Sequence, residues 1–235
     1  MGINRLSKKT IQIASAIGGW LTYKEAELLY SLAQQVSTKL VIVEIGSWKG
    51  RSTVCLGSGA RDGKGARVYA IDPHTGSAEH KKMFGTSINT FNLFWDNIKN
   101  AGLDSFIMPI KKTSVEAAES FHDPVGFIFI DGAHDFTYVN KDVKFWFPKV
   151  TNGGVIAFHD SWHFLGPNLV TAWMLVSSSK IKNPKLIDTI TIFEKVNKNN
   201  FKDRCINIGF LIFRTLGGIK GLLKLKYNNL GKSLG

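Results

Sequence analysis

Cysteine is nearly absent from this chain of 235 residues: Cys55 and Cys205 stand alone, with no CxxC pair and no metal-like cluster around either. That excludes a disulfide scaffold and a cysteine-built zinc site, and both thiols are expected to be reduced and buried. Long hydrophobic runs are missing as well. No apolar stretch approaches the ~20 residues that cross a bilayer, and residues 1–20 lack the apolar core and small-residue cleavage site of a secretory signal, so a cytoplasmic chain is expected. Acids are scarce, with 18 Asp and Glu against 30 Lys and Arg, a formal net charge of +12.

Such an excess suits an anionic partner, whether nucleic acid, a membrane surface or a phosphorylated substrate. Much of it is C-terminal, however, where Lys198, Lys202, Arg204, Arg214, Lys220, Lys224, Lys226 and Lys232 are opposed only by Asp203. A solvated basic tail accounts for that distribution, so charge by itself assigns no partner. Within the tail, Leu216, Ile219, Leu222 and Leu223 can form an apolar stripe beside Lys220, Lys224 and Lys226. Gly217, Gly218 and Gly221 each cost a helix there ~1 kcal/mol, so the expectation is a weak, surface-induced association at the inner membrane face.

What is present reads as one α/β domain. Hydrophobic residues make up 44% of the chain, enough for a substantial core. Thr22 and Glu25 have capping-box spacing ahead of Leu29, Leu32, Ala33 and Val36, so an amphipathic helix precedes the main domain. Residues 40–45 (LVIVEI), 67–72 (RVYAID), 105–110, 125–130 (VGFIFI) and 154–158 (GVIAF) are expected strands; helices are expected from Arg51 and over 89–100, 115–121, 138–147 and 168–178. Strands 187–196 and 206–214, with no helix pattern between them, are expected to pair antiparallel. The expected architecture is a doubly wound, mostly parallel seven-stranded sheet with an antiparallel last pair. Residues 1–37 would form an N-terminal helical extension, 38–215 the main domain and 216–235 a basic tail.

Ligands of such sheets bind beyond the carboxyl ends of the strands, near the reversal of strand order. Those ends carry Glu44-Ile45-Gly46, Asp72-Pro73-His74, Thr113-Ser114, Asp131-Gly132-Ala133-His134 and His159-Asp160-Ser161. Any one of them alone could be a turn or a cap. The first loop, Gly46-Ser47-Trp48-Lys49-Gly50-Arg51-Ser52, departs from the dinucleotide pattern GxGxxG, and an acid two residues before the first glycine would repel a pyrophosphate. A glycine turn beside an acid suits a ligand bearing an ammonium, a carboxylate and a sulfonium. Asp72 is placed to accept protons from ribose hydroxyls.

At this point four segments carry a resemblance. VEIGSWKGRSTVCL (43–56), YAIDPH (69–74), IDGAHDFTYVNKDVKFW (130–146) and GGVIAFHDSW (153–162) are similar to class I, Rossmann-like S-adenosylmethionine-dependent methyltransferases. More narrowly, they resemble small-molecule and sugar O-methyltransferases related to macrocin O-methyltransferase and cephalosporin hydroxylase-like proteins. The likeness spans roughly residues 20–162.

The resemblance implies that Glu44, Gly46, Ser47, Gly50 and Ser52 hold the methionine end of S-adenosylmethionine, Asp72 its ribose, and Thr113 and Ser114 its adenine, with Asp131 beside it. Amino-methylating enzymes often carry Asn or Asp, two prolines and an aromatic at the fourth strand end. This chain lacks that pattern, so a hydroxyl acceptor on a small molecule or glycan is favoured over nucleic acid. The acceptor hydroxyl must lose a proton, and His134 or His159, with Asp131, is suited to take it. Metal-dependent relatives imply a Mg²⁺ or other divalent site at Asp131, His159 and Asp160, although histidine at the middle position departs from the usual carboxylate; alternatively the two acids orient the histidines. Hydroxylase-like relatives share the late motifs, and a non-catalytic module docking on an anionic surface is the rival from another class. The helical N-terminus, residues 76–94 and 162–167 are where acceptor specificity is expected.

Overall fold

A computed structural model describes residues 6–232, with side chains described through Leu216. Seven strands form one sheet in the order β3-β2-β1-β4-β5-β7-β6. They are β1 (Val41–Ile45), β2 (Val68–Ile71), β3 (Ile107–Ile110), β4 (Val125–Ile130), β5 (Val150–Phe158), β6 (Ile181–Ile187) and β7 (Ile190–Lys195). β1 pairs in parallel with β2 and β4, and β7 runs antiparallel between β5 and β6. Strand order therefore reverses between β1 and β4, which places the ligand crevice over their carboxyl ends.

Alternation along each buried strand feeds two cores. Ile42, Val68, Ala70, Phe127, Phe129 and Ala157 face one side, where they join Leu29 of α2 (Tyr23–Gln35), Val54 and Leu56 of α3 (Arg51–Asp62), and Phe94 and Ile98 of α5 (Phe91–Asn100). Val43, Ile45, Ile128, Ile130, Ile156 and Phe158 face the other, against Ala117 of α6 (Ser114–Glu119), Trp146 of α7 (Phe136–Trp146) and Val170 and Leu175 of α8 (Leu165–Ser177). α1 (Lys8–Ala16), α4 (Ala78–Phe84), α9 (Phe201–Lys232) and a 3₁₀ turn at Phe147–Lys149 complete the elements among the described residues.

The N-terminal extension is locked onto this frame. α2 lies across α3 at Gly59, where a Cβ would stand 2.3 Å from the Tyr30 carbonyl oxygen. Only a residue without a side chain permits that approach. The capping box is formed: Thr22 Oγ1 accepts from the Glu25 N–H at 3.2 Å, and Glu25 Oε2 accepts from the Thr22 N–H at 2.9 Å.

The antiparallel last pair is present, and the expected strand 187–196 supplies β7, but its partner is not the one expected: the pair is the hairpin β6–β7, closed at Asp188 and Thr189, whereas residues 206–214 are helical within α9. The continuous apolar run of 206–214 reads like a buried strand, yet only Asn207 and Arg214 of this stretch are fully buried, seven residues apart on one helix face. Asn200 and Asp203 start that helix by bonding each other's N–H groups. β6 escaped notice because it carries Lys182, Pro184 and Lys185, the marks of an exposed edge strand. Cys55 is buried but Cys205 is exposed on α9, so the expected burial of both thiols fails for the second. α9 runs unbroken across the 215/216 boundary. Ile219, Leu222 and Leu223 of the expected stripe lie outside the described side chains. Among the described residues no helix is long and apolar enough to cross a membrane.

Candidate active site

The loop after β1 is shaped by backbone that few residues can adopt. Gly46 has φ +87°, and a Cβ there would stand 2.1 Å from the Asp131 carbonyl oxygen, so only glycine lets the ends of β1 and β4 close on one another. Gly50, at φ 93°, caps α3. Ser47 is 1% exposed, and its buried hydroxyl has no hydrogen-bond partner within the protein. An orphaned buried hydroxyl beside a switch-point loop is what a ligand would satisfy.

Glu44 is not part of the open loop. Its carboxyl is completely buried and accepts the hydroxyls of Ser52 and Thr53 at 2.5 Å each, from the first turn of α3. Burial pushes its pKa up to about 8, aided by the charges of Asp131 and Asp72 and opposed by the two hydroxyls. It supports the loop from beneath, and Ser52 is engaged with it. Because the unfolded carboxyl titrates near 4.5, this group makes wild-type stability fall as pH rises from 4.5 towards 8, by up to about 1.4 kcal/mol per pH unit. Glu44→Gln should remove that decline. Urea unfolding of both proteins at pH 5 and pH 8.5 checks it, and a pH-independent difference between them would show that Glu44 is charged in the fold.

Asp72 is 9% exposed and braces two loops at once. Its Oδ2 accepts from the Trp48 N–H at 2.8 Å and its Oδ1 from the His74 N–H at 2.6 Å. A carboxylate offers about four lone-pair directions, so both oxygens can accept a further hydroxyl. Thr113 and Ser114 are used otherwise. Thr113 caps α6 through Glu116, and the Ser114 hydroxyl donates to Asp142, whose carboxyl burial pushes up to about 7. Their side chains are thus occupied, and contact with a ligand from this turn would fall to backbone groups.

The ends of β4 and β5 bring Asp131, His134, His159 and Asp160 together. His159 is 5% exposed; its Nδ1 lies 2.9 Å from Asp131 Oδ1 and 3.3 Å from Asp160 Oδ2, and its Nε2 lies 3.5 Å from Glu25 Oε2. Burial opposes a charge on the ring, yet Asp131, Asp160 and Glu25 together hold its pKa well above the ordinary value. Glu25 answers in kind: burial works to raise its pKa, but bonds from His159, Thr189 and the Thr22 N–H bring it down to about 2. The three acids favour the charged form of His159, in which both ring nitrogens carry a proton and neither has a lone pair to take another, and this favours His134 over His159 as the base. Asp131, His159 and Asp160, the set expected for a divalent ion, do lie together, but a ring protonated towards Asp131 would have to lose that proton to ligate an ion, and no group of three or more side chains placed to hold a metal occurs among the described residues.

His134 differs. Neither ring nitrogen makes a hydrogen bond, its Nε2 stands 3.4 Å from Asp160 Oδ2, and its ring stacks on Phe164 at 4.0 Å. Over the first loop, Trp48 stacks on His80 of α4 at 3.9 Å, and His80 lies 5.6 Å from Trp20. Trp20, His80 and Phe164 fall within the segments expected to set specificity. Sequence reasoning gave Glu25 only a capping role and passed over His80 and Asp142. Asp142 was detectable, since it shares the buried face of α7 with Val139 and Trp146.

Among curated proteins, the uncharacterized protein y4gI of Sinorhizobium fredii is 30% identical over 122 residues, which is 51% of this chain and 13% of that protein. The match thus spans about an eighth of that relative's length. Among solved structures, the O-methyltransferase NovP superposes with a TM-score of 0.61 at 15% identity, over 74% of this chain and 81% of its own. The methyltransferase MycE, in complex with Mg, SAH and mycinamycin VI, superposes with a TM-score of 0.54 at 16% identity, over 85% of this chain and 56% of its own. At these identities the shared property is the fold. A family model described as a methyltransferase domain matches residues 43–161, which is 119 of 235 residues and runs from β1 to the loop after β5. With half the chain matched, including every strand end of the crevice, this protein belongs to the methyltransferase-domain family.

Proposed function

We propose that the protein transfers a methyl group from S-adenosylmethionine to a hydroxyl of a small acceptor, a sugar, glycolipid precursor or secondary metabolite. The observation that carries this is the junction of β1 and β4. An orphaned Ser47 hydroxyl and the Asp72 carboxylate stand on one side of it, and a histidine without hydrogen bonds, His134, on the other. Ser47, Asp72 and the backbone of the Gly46–Gly50 turn would hold the cofactor, which when bound supplies a methyl on a sulfonium with a good leaving group.

The protein's own task is then positioning and one proton transfer. With its Nε2–H towards Asp160 Oδ2 at 3.4 Å, His134 has a lone pair on Nδ1 to accept the acceptor's hydroxyl proton. Asp160 keeps its charge: burial works against it, but the bond and charge of His159 hold its pKa below the usual carboxylate range. Trp48, His80, Trp20 and Phe164 offer flat apolar faces to an acceptor ring.

The neighbours NovP and MycE support oxygen methylation of a small molecule, being respectively an O-methyltransferase and a methyltransferase in complex with mycinamycin VI. The test is an acceptor screen with labelled S-adenosylmethionine, beginning with nucleotide sugars and lipid-linked glycans and read by mass for one added methyl. An alkali-stable ether in the product is expected. A methylated amine, or cofactor binding without any turnover, would overturn the assignment.

A further inference from the structure

Away from the crevice, α8 and α9 lie side by side, joined by Arg214 Nη1 to Thr171 Oγ1 at 2.9 Å and by Arg204 Nη2 to the Val176 carbonyl at 3.4 Å. Residues 165–177 of α8 include no charged residue. Its outer face is a stripe at helical spacing, Leu169, Trp173 and Val176, with Trp173 67% exposed. The outer face of α9 continues it with Phe201, Ile208, Ile212 and Phe213, of which Phe201 is 83% and Phe213 76% exposed. Water against so many large apolar side chains on two adjoining helices marks a surface that is covered in use.

The charge around that face says by what. Among the described side chains from residue 198 on, Lys198, Lys202 and Arg204 are exposed, against one acid, Asp203. A second copy seated on this face would bring two such basic segments together, whereas an anionic lipid headgroup layer opposes their charge and accepts Trp and Phe at its boundary. We propose that the outer faces of α8 and α9 dock the protein on an anionic lipid bilayer. Docking by this face is independent of the reading of the crevice.

Flotation of the full chain with phosphatidylcholine vesicles, with and without phosphatidylglycerol, tests this. Binding to the phosphatidylglycerol vesicles is expected at low salt, about tenfold or more above that to phosphatidylcholine alone, and it should weaken as salt rises. Trp173→Ser combined with Phe213→Ser should lower it about tenfold or more, with the melting temperature kept as the check on folding. Lys198→Glu combined with Lys202→Glu, both exposed, should do the same through charge alone, which keeps the test intact if the first pair fails to fold. No flotation at low salt, or flotation indifferent to both pairs, would overturn the proposal. So would a concentration-dependent dimer that the first pair dissolves, since that assigns the face to a second copy.

Discussion

His134→Ala should lower kcat ~10²–10⁴-fold, the usual contribution of a general base, while leaving the affinity for S-adenosylhomocysteine within about twofold. Of the two histidines at the strand ends, His134 alone has ring nitrogens without hydrogen bonds, and its Nε2 stands 3.4 Å from Asp160 Oδ2. His159→Ala should behave differently. It removes a buried cation from among Asp131, Asp160 and Glu25, so its first effect is on stability. The comparison is made by single-turnover kinetics of both variants beside wild type treated with a chelator. Full activity of His134→Ala, or loss of wild-type activity on chelation with recovery on adding Mg²⁺, would remove His134 as the base.

Glu25→Gln should cost about 3–5 kcal/mol of stability, the range for breaking a buried ion pair. Glu25 is 1% exposed, and its two oxygens accept from the Thr22 N–H, the Thr189 N–H and hydroxyl, and His159. An amide in that place turns an N–H towards at least one of those donors. The pH dependence follows from the directions of the two shifts. Glu25, at about 2 in the fold against 4.5 ordinarily, contributes stability that is present above pH 4.5 and lost as pH falls towards 2. His159, raised well above 6.5, contributes stability that is complete below that value and lost as pH rises through the raised one. The gap between wild type and variant should therefore be full at pH 5–6.5 and narrow by pH 3, as read by denaturant unfolding. A gap at pH 6 of about 0.5 kcal/mol or less, the size of an ordinary surface substitution, would show that the cluster is not charged as described.

The parts of this molecule that were legible in the sequence are those where local pattern and tertiary role agree. VGFIFI is apolar throughout because β4 is buried on both faces, and Gly46 is glycine because the chain turns there against Asp131. Thr22 and Glu25 announced a helix start correctly, but spacing along the chain could not say that the same carboxylate reaches Thr189 and His159. Glu44 shows the converse: an acid before a glycine turn reads as a ligand for a cation, and the fold instead points it into α3, where Ser52 and Thr53 satisfy it. Residues 181–186 go unassigned and 206–214 are expected as a strand for a related reason. Burial is settled by neighbours distant in sequence, so an edge strand with Lys and Pro looks like a loop, and an exposed apolar helix face looks like a strand.

The central claim is that the junction of β1 and β4 holds S-adenosylmethionine, and calorimetric titration of the purified protein with S-adenosylhomocysteine tests it most directly, with NAD as the competing ligand and Asp72→Ala as the site control. One site per chain is expected, with stabilisation of ~2.7 kcal/mol at a ligand concentration 100 times Kd. Asp72→Ala should weaken binding about tenfold to hundredfold, because it removes a charge-assisted acceptor and releases the Trp48 and His74 N–H groups that shape the loop. Binding of NAD with none of S-adenosylhomocysteine, or S-adenosylhomocysteine affinity unchanged by Asp72→Ala, would contradict it.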